Sequence, residues 1–169
     1  MGLTTLRAGA FPSGAVLQTL SAEKTDTQST TTVVPSFDDV TGLSVAITPS
    51  STSSKILVMV SLALGFDDND FAYARIMRGS TQISAGDTAG NRPKVSFHTY
   101  DADNDGLLPK QTHVVLDSPS TTSATTYKVQ FAGASASYTN YINRSARHSN
   151  QTYADPIQTS TITVMEIKG

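Results

Sequence analysis

The residues best suited to chemistry lie in Asp101-Ala-Asp103-Asn-Asp105-Gly106. Alternate carboxylates closed by a glycine match the first half of a calcium loop, in which hard oxygens wrap a cation and the glycine allows the turn. The second half of the pattern fails. Thr112 stands where a bidentate Glu is required, and no helix flanks the loop. An Asp/Asn/Gly cluster is also the ordinary make-up of a strand connection. Calcium at Asp101, Asp103 and Asp105 is therefore the one ion the pattern could hold, and otherwise no metal or cofactor is expected. Asp67, Asp68 and Asp70 could add oxygens if the two loops met.

Catalytic constellations are thin. His98, His113 and His148 share no helix-turn spacing, so neither a zinc set nor a Ser-His-Asp triad is indicated. Glu23, Glu166 and the aspartates show no paired arrangement of the kind that glycoside hydrolysis needs. The chain has no cysteine, hence no disulfide, no thiolate ligand and no thiol nucleophile. No catalytic residue is assigned, and no enzymatic activity is expected. The most distinctive polar-aromatic stretch runs from Tyr138 to Tyr153. Its Tyr138, Tyr141, Asn143, Arg144, Arg147 and Tyr153 could stack on and hydrogen-bond a sugar or a protein surface. Alternatively the tyrosines pack over the core edge and the loop only connects strands.

The elements that must position these residues are strands. The chain has 169 residues, enough for one domain with a core. Hydrophobic residues are 38% and charged residues only 15%, so the polar surface is mostly Ser, Thr, Asn and Gln. Abundant Thr, Ser, Val and Ile favour strands over helices. A net charge of −2 without a basic block argues against a phosphate-tracking surface, so no nucleic acid is expected as partner. No apolar run reaches the roughly 18 residues of a membrane-spanning helix, so no membrane insertion is expected. The N-terminus lacks the layout of a secretory signal.

Period-2 alternation predicts strands at Ala15 to Lys24, Thr41 to Thr48, Ile56 to Phe66, Phe71 to Arg78, Lys94 to Tyr100, Gln111 to Leu116, Thr126 to Ala132 and Thr159 to Ile167. Shorter pieces are expected at Thr81 to Ser84, after a Gly-Ser turn, and at Tyr138 to Asn143. Thr31 to Phe37, broken by Pro35, reads as an edge strand, and Thr25 to Thr32 as a turn. About eight to ten strands without a helix imply an all-β, antiparallel two-sheet sandwich, with a jelly roll as the first wiring and an immunoglobulin-like sandwich as the alternative. The domain spans residues 14–169, preceded by an extended arm over residues 1–13.

One strand departs from simple alternation. Ile56, Val58, Val60, Leu62, Leu64 and Phe66 line one face. Leu57, Met59, Ser61, Ala63 and Gly65 make the other face apolar or small as well. A strand with one wet face should carry polar residues there. The strand is therefore expected to be covered on both sides, away from a sheet edge, with another copy of the chain as one cover. The last strand also offers apolar residues on both faces, and Leu57, Met59, Met165 and Ile167 are the expected interface.

Three pieces taken in order carry a family resemblance: Gly42-Leu-Ser-Val-Ala-Ile-Thr-Pro-Ser followed by Ser54-Lys-Ile-Leu-Val; Tyr141-Ile-Asn-Arg-Ser; and Thr159-Ser-Thr-Ile-Thr-Val-Met-Glu-Ile. Together they resemble the C-terminal knob module of bacteriophage fibre and virion proteins, over about Ser13 to Gly169. The resemblance implies a jelly-roll-like homotrimer located in the virion, without enzymatic activity. Fibre knobs usually follow a long shaft. The lead of about a dozen residues reaches only roughly 40 Å when extended, which suits a capsid decoration (cement) protein whose arm lies on the major capsid protein or a neighbour. The alternative is a tail or head fibre tip, joined to other fibre subunits, that binds a host surface glycan or receptor.

Overall fold

Alternating β-branched and polar residues form strands throughout the computed structural model, which describes residues 11–67, 70–100, 106–150 and 155–169. In chain order these are β1 (Val16–Lys24), β2 (Gln28–Thr30), β3 (Asp38–Ile47), β4 (Lys55–Phe66), β5 (Phe71–Arg78), β6 (Thr81–Ile83), β7 (Phe97–Tyr100), β8 (Lys110–Asp117), β9 (Thr125–Gly133), β10 (Asn140–Ile142) and β11 (Ser160–Ile167). There is no helix among the described residues.

The strands form two antiparallel sheets packed face to face. The first has the order β1-β11-β4-β8, with β10 and then β2 extending it beside the far end of β4. The second has the order β3-β9-β5, with β6 and β7 both pairing β5. Successive long strands alternate between the sheets, so the wiring is that of a jelly roll rather than of an immunoglobulin-like sandwich. β3 and β4, adjacent in sequence, do not pair. Each belongs to a different sheet, and the Pro49–Ser54 turn crosses from one to the other.

β4 is paired along its whole length, by β8 over Ile56–Ala63, by β11 over Lys55–Ser61 and by β10 over Leu64–Phe66. It is an interior strand, as its double apolar pattern predicted. Its residues Ile56, Val58, Val60, Leu62, Leu64 and Phe66 are fully buried between the sheets. Leu43, Ile47, Ile76, Tyr127, Val129 and Phe131 of the second sheet pack against them. At one end, Arg78 of β5 forms an ion pair at 2.8 Å with Asp117 of β8, and the Tyr127 hydroxyl donates to the same carboxylate at 2.7 Å. Burial, followed by this bond to Asp117, pushes the Tyr127 phenol well above its ordinary value.

Three local expectations are corrected. Thr31 to Phe37 is not an edge strand. Only Val33 makes a bridge, to Gly133, while Thr30 and Thr32 donate their hydroxyls to Asp38 at 2.5 and 2.7 Å and turn the chain back. The neighbouring polar segment, read as a turn, contains β2 instead. Its Gln28 side chain bonds the Asp39 carbonyl and the Thr41 N–H, a stitch without an apolar signature. The strand expected from Lys94 begins only at Phe97; Lys94 lines a surface groove, and the Ser96 hydroxyl donates to the Ser84 carbonyl.

Candidate functional site

Cross-strand register brings the four expected interface residues together. Leu57 sits opposite Met165 on β11 and Leu116 on β8, and Met59 sits opposite Thr163 and Val114. Ile167 continues the face beside Val16 of β1. Residues directly opposite on paired strands share a face, so the outer surface of β8-β4-β11 carries a cluster of apolar side chains, bordered by Lys55 and Thr163. Val114 and Leu116 are 53% and 50% exposed and Val16 is 50% exposed, while the four predicted residues are half-buried. Val114, Leu116 and Val16 were not singled out from the sequence. The signal was present in the Val114-Val115-Leu116 run, which puts apolar side chains on both faces of an outer strand.

The expected cover over this face of β4 is partial. Gly65 is covered by the chain's own residues 144–145, the Ala63 carbonyl accepts the Asn143 N–H, and Leu57 and Met59 stay half-buried. At Gly65 the Arg144 carbonyl lies where a side chain would be. Gly65→Ala is therefore expected to lift this segment and to cost about 1–3 kcal/mol, as overpacking against backbone does. Chemical denaturation would measure it, and an unchanged midpoint would refute the close approach.

The Tyr138 to Tyr153 stretch is used mostly by the fold. Asn143 is fully buried with a φ of 66°, a left-handed conformation that Asn tolerates well. Its Nδ2 donates to the Lys24 and Asp26 carbonyls at 2.8 and 2.9 Å, and its Oδ1 accepts from Ser160 at 2.7 Å. It clamps β1, β10 and β11 together. Tyr141 is 9% exposed and carries the Arg144 guanidinium 3.9 Å above its ring. Arg147 grips Asp155 through Nε at 2.9 Å and Nη2 at 2.8 Å, and its guanidinium fills the space beside Gly106. Its hydrogen bonds, with those from Ser149, hold the Asp155 carboxyl well below the usual carboxylate range. Tyr138 is half-buried. Tyr153 lies outside the described residues, as do Asp101, Asp103 and Asp105 of the calcium pattern, Asp68, and residues 1–10 of the arm. Among the described residues no three His, Asp or Glu side chains converge on a common point.

The histidines serve different surroundings. His113 Nε2 lies 2.5 Å from the Ser84 hydroxyl, and Ser84 has a φ of 54°. No carboxylate among the described residues bonds the His113 ring, so the pair lacks the orienting acid of a triad. His98 stands among aromatic rings on the opposite sheet, and His148 is exposed. Asp70, buried at the start of β5, accepts the Ala134 and Ser135 N–H groups at 3.2 Å each and the Asn140 amide at 2.9 Å, a structural clamp. No protein-family model matches the chain, and no curated protein matches it.

Proposed function

We propose that the chain is a bacteriophage virion structural protein, a surface knob that assembles as a homotrimer and acts as a capsid decoration (cement) protein. The observation that carries this reading is the apolar outer face of β8-β4-β11. Seven apolar side chains stand on one sheet face, namely Val16, Leu57, Met59, Val114, Leu116, Met165 and Ile167. An apolar cluster of this kind marks a contact with another protein surface. Self-association buries it against a copy with the same chemistry. The resemblance to fibre and virion knobs supplies the setting, with the arm over residues 1–13 reaching the major capsid protein.

Light scattering on the purified chain is expected to return a trimer mass. Met59→Lys puts a charge in the middle of the proposed contact while leaving the inter-sheet core alone, and is expected to give a folded monomer with an unchanged circular dichroism spectrum. A variant that keeps the wild-type mass places the contact elsewhere, and a monomeric wild type removes the interface altogether. Labelled antibody is expected to decorate capsids. Label confined to tail or fibre tips would favour the alternative, a receptor- or glycan-binding tip.

A further inference from the structure

We infer that the outer face of the second sheet, at the opposite side of the molecule from the apolar face, binds an acidic, carboxylate-bearing glycan. Two adjoining features carry the inference. The first is a row of rings. Phe71 and Tyr73 of β5 sit directly opposite Tyr100 and His98 of β7. Phe71 and Tyr100 stack at 4.3 Å between centroids, Tyr73 and His98 lie 5.9 Å apart, and Phe71 and Tyr73 are within 4° of parallel. Tyr100 is 44% exposed and His98 is exposed. Cross-strand ring pairs stabilise a sheet on their own account. A row of four on a face that no other layer covers among the described residues also offers apolar surface to the C–H face of a sugar ring.

The second feature begins two residues further along β5. Arg75 lies on the same outer face as Tyr73, about 7 Å along the strand, and lines a groove of about 600 Å³. Its guanidinium stacks 4.0 Å over the Phe37 ring, and its Nε donates to Gln130 at 2.9 Å. Those two contacts fix its plane and leave its Nη groups without a hydrogen bond among the described residues. Arg92 and Lys94 also line the groove, are exposed, and form no salt bridge among the described residues. No carboxylate lines it. Asp39, whose charge acts on Arg75, is already paired with Lys128 and Gln130 at 2.8 and 2.7 Å, and Asp87 adjoins the lining residue Thr88 without lining the groove itself.

Three cations around a pocket without a carboxylate, in a chain of net charge −2, select an anion. An arginine held by stacking is suited to bidentate recognition of a carboxylate. The ring row beside it suits a sugar backbone. A single-stranded nucleic acid would also combine stacking with charge, but its track needs cations repeated along several phosphates, and this groove holds three at one end of the ring row. The site is independent of self-association, because it lies on the other sheet.

Calorimetric titration with a hexamer of galacturonic acid tests the inference. Binding is expected, weakening with added salt. A neutral glucose hexamer is expected to show none. The Arg92→Gln, Lys94→Gln double variant, whose side chains are exposed and outside the core, is expected to bind the acidic hexamer about tenfold more weakly or worse. Tyr100→Ala is expected to weaken it several-fold. Met59→Lys is expected to bind as wild type does, so the outcome is read separately from oligomeric state. Absence of binding by the acidic hexamer, equal binding of the neutral one, an unaffected double variant, or tighter binding of oligothymidylate would each overturn the site.

Discussion

Replacing Val60 by Asp is expected to leave no folded protein. Val60 sits mid-strand on β4, opposite Ile162 and His113, and is fully buried in the inter-sheet core. The polar group beside it on that face is His113, which is already bonded to the Ser84 hydroxyl; the hydrophobic cluster around it is otherwise apolar apart from the Tyr127 hydroxyl at the sandwich end. A carboxylate there, with only the Ser84-bound His113 beside it, carries a desolvation penalty of about several kcal/mol, and the lost valine burial adds about 1.5–3 kcal/mol. Set against a total stability of roughly 5–15 kcal/mol for a domain, the sum is enough to unfold it. Val60→Ala, which removes only apolar contact, is expected to fold with a loss of about 2 kcal/mol. Solubility, near-ultraviolet circular dichroism and urea unfolding distinguish the two. A cooperative transition near the wild-type midpoint in Val60→Asp would show that this face is not the core. The neighbouring Met59 makes the contrast sharp, since a lysine one residue away points to the opposite side of the sheet and is expected to be tolerated.

Glu166→Ala is the second large effect. Glu166 lies on the inward side of β11 and is 1% exposed. Its Oε1 accepts from the Ser50 N–H at 2.7 Å, the Ser50 hydroxyl at 2.6 Å and the Ser54 hydroxyl at 2.7 Å, and its Oε2 accepts from Gln18 at 2.7 Å. One carboxylate thus fastens the turn that crosses between the sheets onto the first and last strands. Its removal strands several donors in a buried site, at a cost of about 3 kcal/mol, or about 6–12 °C in Tm for a domain of this size. Glu166→Gln keeps an acceptor for the serines and is expected to lose less.

The same carboxyl makes stability depend on pH. Burial pushes its pKa up, but the hydrogen bonds from Ser50, Ser54 and Gln18 outweigh burial, and the net direction is below the ordinary value of 4.5. A group depressed in the folded state contributes its full stabilisation above its unfolded pKa and loses it as pH falls through the folded value. The contribution is therefore complete at neutral pH and declines below about 4.5. Glu166→Gln is expected to flatten that part of the stability profile. Profiles of the same shape in wild type and variant would assign the acid sensitivity to other carboxylates.

How much of this was legible differs by type of interaction. The strands were readable because apolar alternation is a local property of neighbouring residues. Segments whose pairing rests on side-chain hydrogen bonds were not. Gln28–Thr30 looks like a polar turn until the Asp39 carbonyl and Thr41 N–H are placed beside it. Asn143 read equally well as an exposed ligand contact, and only its partners at Lys24, Asp26 and Ser160, far away in the chain, make it a clamp. The buried Glu166 carries a charge in an apolar run, and nothing adjacent to it announces Ser50 and Ser54.

The sequence by itself determined that the chain makes a two-sheet antiparallel sandwich, because apolar alternation is local, and the long doubly apolar run of β4 pointed to an interior strand; that β8, apolar on both faces over Val114 to Leu116, stands outermost is set by strand order. Tertiary structure decided the rest. It assigned β3 and β4 to opposite sheets, set Leu116, Leu57 and Met165 in one row, and gathered Phe71, Tyr73, His98, Tyr100 and Arg75 on one outer face. Those surfaces depend on strand order and register. Both are fixed by pairings between residues distant in sequence, which local periodicity does not encode.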